Sequence, residues 1–136
     1  MQHRLAMGLV WFFGFGSLGL YLPFVGLYLH ENAGLDAARV GVVLAVLPLV
    51  GLFVQPFWGQ LADRTGGRAQ VLVGVSLGSA AGYASLAVAE GFGGLVLATA
   101  FLAVFLGTFT PAAVAVTLAL GRSGDPHAFG LSRVWG

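Results

Sequence analysis

The placement of charge decides what this chain can fold into. Its charged side chains are Arg4, Glu31, Asp36, Arg39, Asp63, Arg64, Arg68, Glu90, Arg122, Asp125 and Arg133, and they leave four long uncharged intervals: Leu5 to Leu29, Val40 to Ala62, Ala69 to Ala89 and Gly91 to Gly121. Each interval reaches the roughly 20 apolar residues that a helix needs to cross a bilayer. Only 8% of the residues are charged and 58% are hydrophobic, against about 25% charged in an ordinary soluble domain. The pattern predicts an all-α membrane protein of four transmembrane helices, over about 5–29, 40–62, 69–89 and 94–120. Barrel strands are excluded because the runs are continuous, without alternation of polar and apolar residues, and a helix satisfies its own backbone in lipid. The first run exceeds the about 7–15 apolar residues of a cleaved signal peptide, so it reads as a retained helix. Pro23, Pro48, Pro56 and Pro111 fall inside the runs and are expected to kink them rather than end them.

Six arginines, no lysine and five acids give a net charge of +1. That balance is too even for phosphate neutralisation and excludes nucleic acid as a partner. There is no cysteine, hence no disulfide, thiolate nucleophile or Cys-ligated metal. His3, His30 and His127 are scattered over terminal and loop regions, and no HExxH, phosphate loop or serine elbow occurs. The reading is a non-enzyme with no cofactor and no metal, in a lipid bilayer; composition sets no oligomeric state. Arg4, Arg64, Arg68, Arg122 and Arg133 fall near one set of helix ends and Arg39 alone near the other. The positive-inside rule then puts the N-terminus in the cytoplasm, with Asp63 to Arg68 and Arg122 to Arg133 on the same side.

The segment Gln55-Pro56-Phe57-Trp58-Gly59-Gln60-Leu61-Ala62-Asp63-Arg64-Thr65-Gly66-Gly67-Arg68 joins the second and third runs through a short charged turn. Gly59 allows close helix approach, Gly66 can take a positive φ, and Asp63 offers a carboxylate to a helix N-terminus or an arginine. The plainer alternative is a capped positive-inside loop. The segment resembles the loop signature of the major facilitator superfamily, Gly-x-x-x-Asp-Arg/Lys-x-Gly followed by basic residues. Gly59, Asp63, Arg64, Gly66 and Arg68 match, whereas Gly67 and Ala69 stand where basic residues are frequent. The resemblance implies a conformational latch that breaks and reforms as access alternates across the membrane.

Two further stretches narrow the likeness. Tyr21-Leu22-Pro23-Phe24-Val25-Gly26-Leu27-Tyr28-Leu29-His30 is similar to the first helix of the lactose-permease and phenylpropionate-permease branch, and Phe129-Gly130-Leu131-Ser132-Arg133-Val134-Trp135-Gly136 resembles the start of a fifth helix in the phenylpropionate group. By this resemblance residues 1–136 form the N-terminal part of a twelve-helix transporter domain, with helix five starting near 129–136. Arg133 then contacts the solute; the competing reading is an arginine snorkelling to the interface. Relatives commonly carry a carboxylate at the position of Ala115, and its absence argues against lactose-type binding. The implied function is secondary active transport by alternating access, as proton-coupled import of a small organic solute across a bacterial inner membrane. An aromatic acid or nucleoside ranks ahead of a sugar. No acidic, basic or histidine side chain lies deep in the four runs, so a proton carrier is expected beyond Gly136. The alternatives are a proton-coupled drug exporter of the same fold and a non-transporting four-helix scaffold.

Independently of the resemblance, Phe13, Ser17, Tyr21, Phe24 and Tyr28 recur at helical spacing and stack along one face of the first helix. Such a face suits an amphipathic solute or helix packing. Arg133, Tyr21, Phe24, Ser17 and Gln55 are the candidate substrate-binding residues, Gln55 being open to either a solute or a hydrogen bond across helices. Gly74, Gly78 and Gly82 read as a helix-packing stripe. Thr108, Thr110 and Thr117 are expected to bond back to carbonyls beside Pro111.

Overall fold

The computed structural model describes residues 2–121 and is all-α. Helices α1 (Gln2–Leu27), α2 (Ala37–Thr65), α3 (Arg68–Val88) and α4 (Gly91–Gly121) follow one another through short connections. The shortest, α3, has 21 residues; at about 1.5 Å per residue it spans about 32 Å, enough for a hydrocarbon core of roughly 30 Å. All four helices are long and apolar enough to cross a membrane.

The helix ends differ from the charge-free intervals, for local reasons. α2 begins at Ala37 rather than Val40 because Asp36 caps it: the carboxylate Oδ1 accepts the Arg39 backbone N–H at 3.1 Å, satisfying a donor left over at the helix start. At its far end α2 continues through Thr65, whose hydroxyl donates to the Leu61 carbonyl at 2.7 Å. Asp63 and Arg64 therefore belong to the last helical turn, and the connection shrinks to Gly66 and Gly67. Gly66 takes φ 63°, a left-handed conformation that costs a glycine little. α1 runs on into a π-helical turn, Tyr28–Asn32, closed by the Ala33 N–H on the Tyr28 carbonyl at 3.1 Å.

Four spans joined by short turns alternate in direction. The start of α1, the α2–α3 turn and the end of α4 consequently share one end of the bundle, called here the inner end. α4 is central: α3 packs on it antiparallel and α2 parallel, and those two touch each other far less than either touches α4. At Gly82 an added Cβ would stand 2.7 Å from the Leu102 Cα, and at Gly78 it would collide with the Phe105 ring. Gly74, by contrast, has no atom within 4 Å. The three glycines are thus a two-residue contact and not one stripe, since each four-residue step turns about 40° around the helix and carries Gly74 off the interface.

Two apolar clusters hold the ends together. The inner one gathers Met7 and Trp11 of α1, Val71, Leu72 and Val75 of α3, and Phe109, Ala113 and Val116 of α4. The outer one gathers Val25, Leu29, Leu35, Val43 and Leu95. Trp11, 1% exposed, also donates its indole N–H to the Thr117 hydroxyl at 3.2 Å, which donates in turn to the Ala113 carbonyl at 2.8 Å. Away from these clusters, Leu5, Phe12, Leu20, Leu22, Phe53 and Phe57 point outward. Apolar surface on that scale is unfavourable against water and ordinary against acyl chains.

Candidate functional site

The inner end holds a cavity of about 410 Å³ between α2, α3 and α4, lined by Gln55, Trp58, Gly59, Asp63, Arg68, Thr108, Pro111 and Ala115 among others. Three of the five signature residues, Gly59, Asp63 and Arg68, thus meet around one space. Gly66 lines an adjoining hollow of about 510 Å³ that also includes Asp63 and Arg68; Arg64 lines neither. Asp63 sits in the last turn of α2 and Arg68 is the first residue of α3. Each charge stands at the wrong end of its helix, because the macrodipole favours cations at C-termini and anions at N-termini. Among the described residues neither has a charged partner: the Asp63 carboxylate caps no helix, and the sole ion pair there is Arg39 Nε to Asp36 Oδ1, at 3.8 Å.

The cavity wall is pinned by two side chains of α2. Gln55 Nε2 donates to the Gly107 carbonyl at 3.0 Å, and the Trp58 indole N–H donates to the Val104 carbonyl at 3.0 Å. Trp58 was absent from the candidates; a tryptophan three residues after Gln55, one helical turn on, was the available signal. Thr108 corrects an expectation, for its buried hydroxyl bonds to no carbonyl and has no partner. Thr110 is exposed.

At mid-depth, hydroxyls collect between α1, α3 and α4. A hollow of about 520 Å³ is lined by Phe13, Ser17, Ser76, Ser79, Tyr83 and Phe109 among others. The Tyr21 and Tyr83 rings meet edge to face at 5.5 Å. Ser17 donates to the Gly14 carbonyl at 2.8 Å, while the hydroxyls of Ser79, Tyr83 and Thr99 are buried with no hydrogen-bond partner. The α1 stripe divides here. Ser17 faces the hollow and Phe13 borders it while 68% exposed, whereas Phe24 is 61% exposed and borders no part of it, because the buried line continues in four-residue steps from Tyr21 to Val25 and Leu29. Ser79, Tyr83 and Thr99 were missed, since periodicity within one helix does not reveal which face of its neighbour it meets. Arg133 lies outside the described residues. Among the described residues no three His, Asp or Glu side chains gather as a metal site.

Four membrane-length helices with α4 at their centre, and a tight charged glycine turn at one end, define a multi-pass membrane protein consistent with the opening part of a transporter bundle. The chain belongs to the major facilitator superfamily: residues 4–136 match the model of the MFS_1 like family. That superfamily comprises transporters and not enzymes.

The chain is 29% identical over 126 residues to the maltose permease of Geobacillus stearothermophilus, covering 92% of this chain and 31% of the permease. It is 34% identical over 120 residues to the multidrug resistance protein MdtG of Dickeya zeae, covering 83% of this chain and 29% of that protein. Against the lactose permease of Citrobacter freundii it is 35% identical over 68 residues, 46% of this chain and 16% of the permease. The chain therefore spans less than a third of the length of these relatives.

Proposed function

We propose that residues 1–136 form the opening part of a secondary transporter that carries a small organic solute across a bacterial inner membrane by alternating access, with proton entry driving import. The observation that carries this reading is the inner turn. Among the described residues Asp63 and Arg68 have no charged partner, sit against their helix dipoles and border one cavity, an arrangement suited to partners supplied by other parts of a larger assembly. Local rules broken without local compensation are the mark of a functional element. In this reading Gly59, Asp63, Arg64, Gly66 and Arg68 are the latch. It closes one face while two halves built from three-helix inverted repeats rock about a site near the midplane. Family membership weighs against a non-transporting scaffold, and the arginine count at the inner end favours a cytoplasmic N-terminus.

Ser17, Tyr21 and Arg133 are the proposed solute contacts, Tyr21 foremost because its ring packs against Tyr83 beside the mid-depth hydroxyls; Phe24, on the outward face, and Gln55, bonded to Gly107, are left out of that set. Three serines and Tyr83, set among Phe13, Phe109 and aliphatic side chains around an uncharged hollow, suit a neutral, hydroxyl-bearing or planar solute better than a carboxylate. A sugar or nucleoside therefore ranks ahead of an aromatic acid, and two of the relatives carry the names of sugar permeases. Export of a drug in exchange for protons is the second reading, favoured by the 34% identity to MdtG. The test is uptake of radiolabelled maltose, lactose, a nucleoside and a phenylpropionate by vesicles holding the full-length protein, with and without a protonophore. Import that collapses with the protonophore is expected. Uptake indifferent to the proton gradient removes the coupling, and proton-driven extrusion of a dye from the same vesicles establishes the second reading.

A further inference from the structure

Pro111 lacks the N–H that would bond to the carbonyl four residues earlier, so inside α4 it orphans the carbonyl of Gly107. In lipid such a carbonyl requires another donor. The structure supplies one from a different helix: Gln55 Nε2 of α2 lies 3.0 Å from the Gly107 oxygen. Among the described residues no side chain donates to Gly19, Leu44 or Leu52, the carbonyls freed in the same way by Pro23, Pro48 and Pro56. The match between Gln55 and Pro111 is therefore specific to this crossing. The backbones also approach closely there, since a Cβ on Gly107 would stand 3.2 Å from the Gly51 Cα. The adjacent Thr108 is 4% exposed, has an unpartnered hydroxyl and lines the inner cavity, so this part of α4 holds polar groups that α2 only partly satisfies.

We infer that Gln55 is a positioning residue and not a solute ligand: with Pro111 it forms a releasable clasp that sets the bend of α4 against α2 and thereby the width of the inner cavity. The clasp rests on the transport reading only for its purpose. When the bond is made, α2 and α4 move as one body through the Gly51–Gly107 contact. When it is broken, the Gly107 carbonyl faces the cavity and α4 is free to bend at Pro111.

The test is a double-mutant cycle in the full-length protein, each variant carrying Thr108→Cys as a reporter on a background otherwise free of cysteine; the present 136 residues contain none. Gln55→Met keeps side-chain length and removes the donor, and Pro111→Ala returns an N–H to the Gly107 carbonyl. The readout is the rate at which a membrane-impermeant maleimide labels the reporter from the inner side. Gln55→Met should raise that rate about fivefold where Pro111 is present, the equivalent of one interhelical bond of about 1 kcal/mol. In the Pro111→Ala background it should raise it less than about twofold, because the orphan no longer exists. Equal factors in the two backgrounds, or no change in either, overturn the clasp. Solute uptake separates the roles further: Gln55→Met should lower the maximal rate with little change in KM, whereas a raised KM with unchanged labelling makes Gln55 a solute ligand and overturns the proposal. A labelling cycle that behaves as expected in a protein that neither imports these solutes nor extrudes a dye upholds the clasp and counts against the transport reading.

Discussion

Alanine at Gly82 and alanine at Gly74 are the same chemical change on the same helix, and they should move stability in opposite directions. Both gain about 0.8–1.0 kcal/mol of intrinsic helix propensity. At Gly74 nothing lies within 4 Å of the new methyl, so that gain stands nearly alone. At Gly82 the methyl would stand 2.7 Å from the Leu102 Cα and 2.9 Å from its Cδ1, about 1 Å inside the comfortable carbon–carbon separation of roughly 3.5–4.0 Å. Leu102 Cδ1 can swing away, but Leu102 Cα is backbone, so α3 and α4 must separate. Overpacking of that kind costs about 1–3 kcal/mol. Propensity cancels between the two variants, so the predicted gap equals the overpacking cost, about 1–3 kcal/mol, with Gly82→Ala the less stable. Thermal unfolding of the purified full-length protein in detergent, followed by tryptophan fluorescence, measures the gap. Equal midpoints, or Gly82→Ala above Gly74→Ala, would refute close approach of α3 and α4 at Leu102.

Asp63→Asn removes a carboxylate from the C-terminal turn of α2, so stability should hold or rise by about 0.3–1 kcal/mol while solute uptake falls; uptake at the wild-type rate would reduce the turn to a topology signal. Trp11→Phe keeps most of the buried ring and loses the bond to Thr117, which should cost about 1 kcal/mol of stability in the same unfolding assay. Thr117→Val added to it should cost little more, and full additivity would show that the pair is not coupled. Leu29→Ala, at a position with 0% exposure, should destabilise by about 2–5 kcal/mol, whereas Phe24→Ala on the outer surface should stay within about 0.5 kcal/mol; similar losses at the two sites would reverse the register of α1.

The four spans were legible because a charge deep in lipid is so unfavourable that its absence over more than 20 residues is itself a signal. The same rule blurred the ends. Asp63 and Arg64 look like loop residues by charge, yet near the interface a helix carries them as readily as a loop does, so α2 runs on to Thr65. Asp36 was legible as a charge and not as a cap, because capping depends on where the chain turns. The α1 stripe was read as one face from Phe13 to Tyr28, but a neighbour selects a single four-residue line, and that line took Val25 and Leu29 in place of Phe24. The sequence alone leaves Gln55 between two roles because its partner, 52 residues away, is a backbone carbonyl made available only by Pro111. Both halves of that bond are visible in the sequence; the crossing that brings them together is not.

The central position of α4 also bears on how the protein is made. α2 and α3 leave the ribosome first, and each reserves its most intimate surface for a helix not yet synthesised. Until α4 arrives, the cluster around Val71, Leu72 and Val75 lacks its α4 members Phe109, Ala113 and Val116, and the Gly78 and Gly82 face lies open to acyl chains. The nascent α2–α3 pair is accordingly an unassembled intermediate, held at one end by two glycines, and α4 enters as the wedge that closes it. A chain ended at Glu90 and released into the membrane should be inserted but unpacked, open to protease at the Gly66–Gly67 turn, and one ended at Gly121 should be protected.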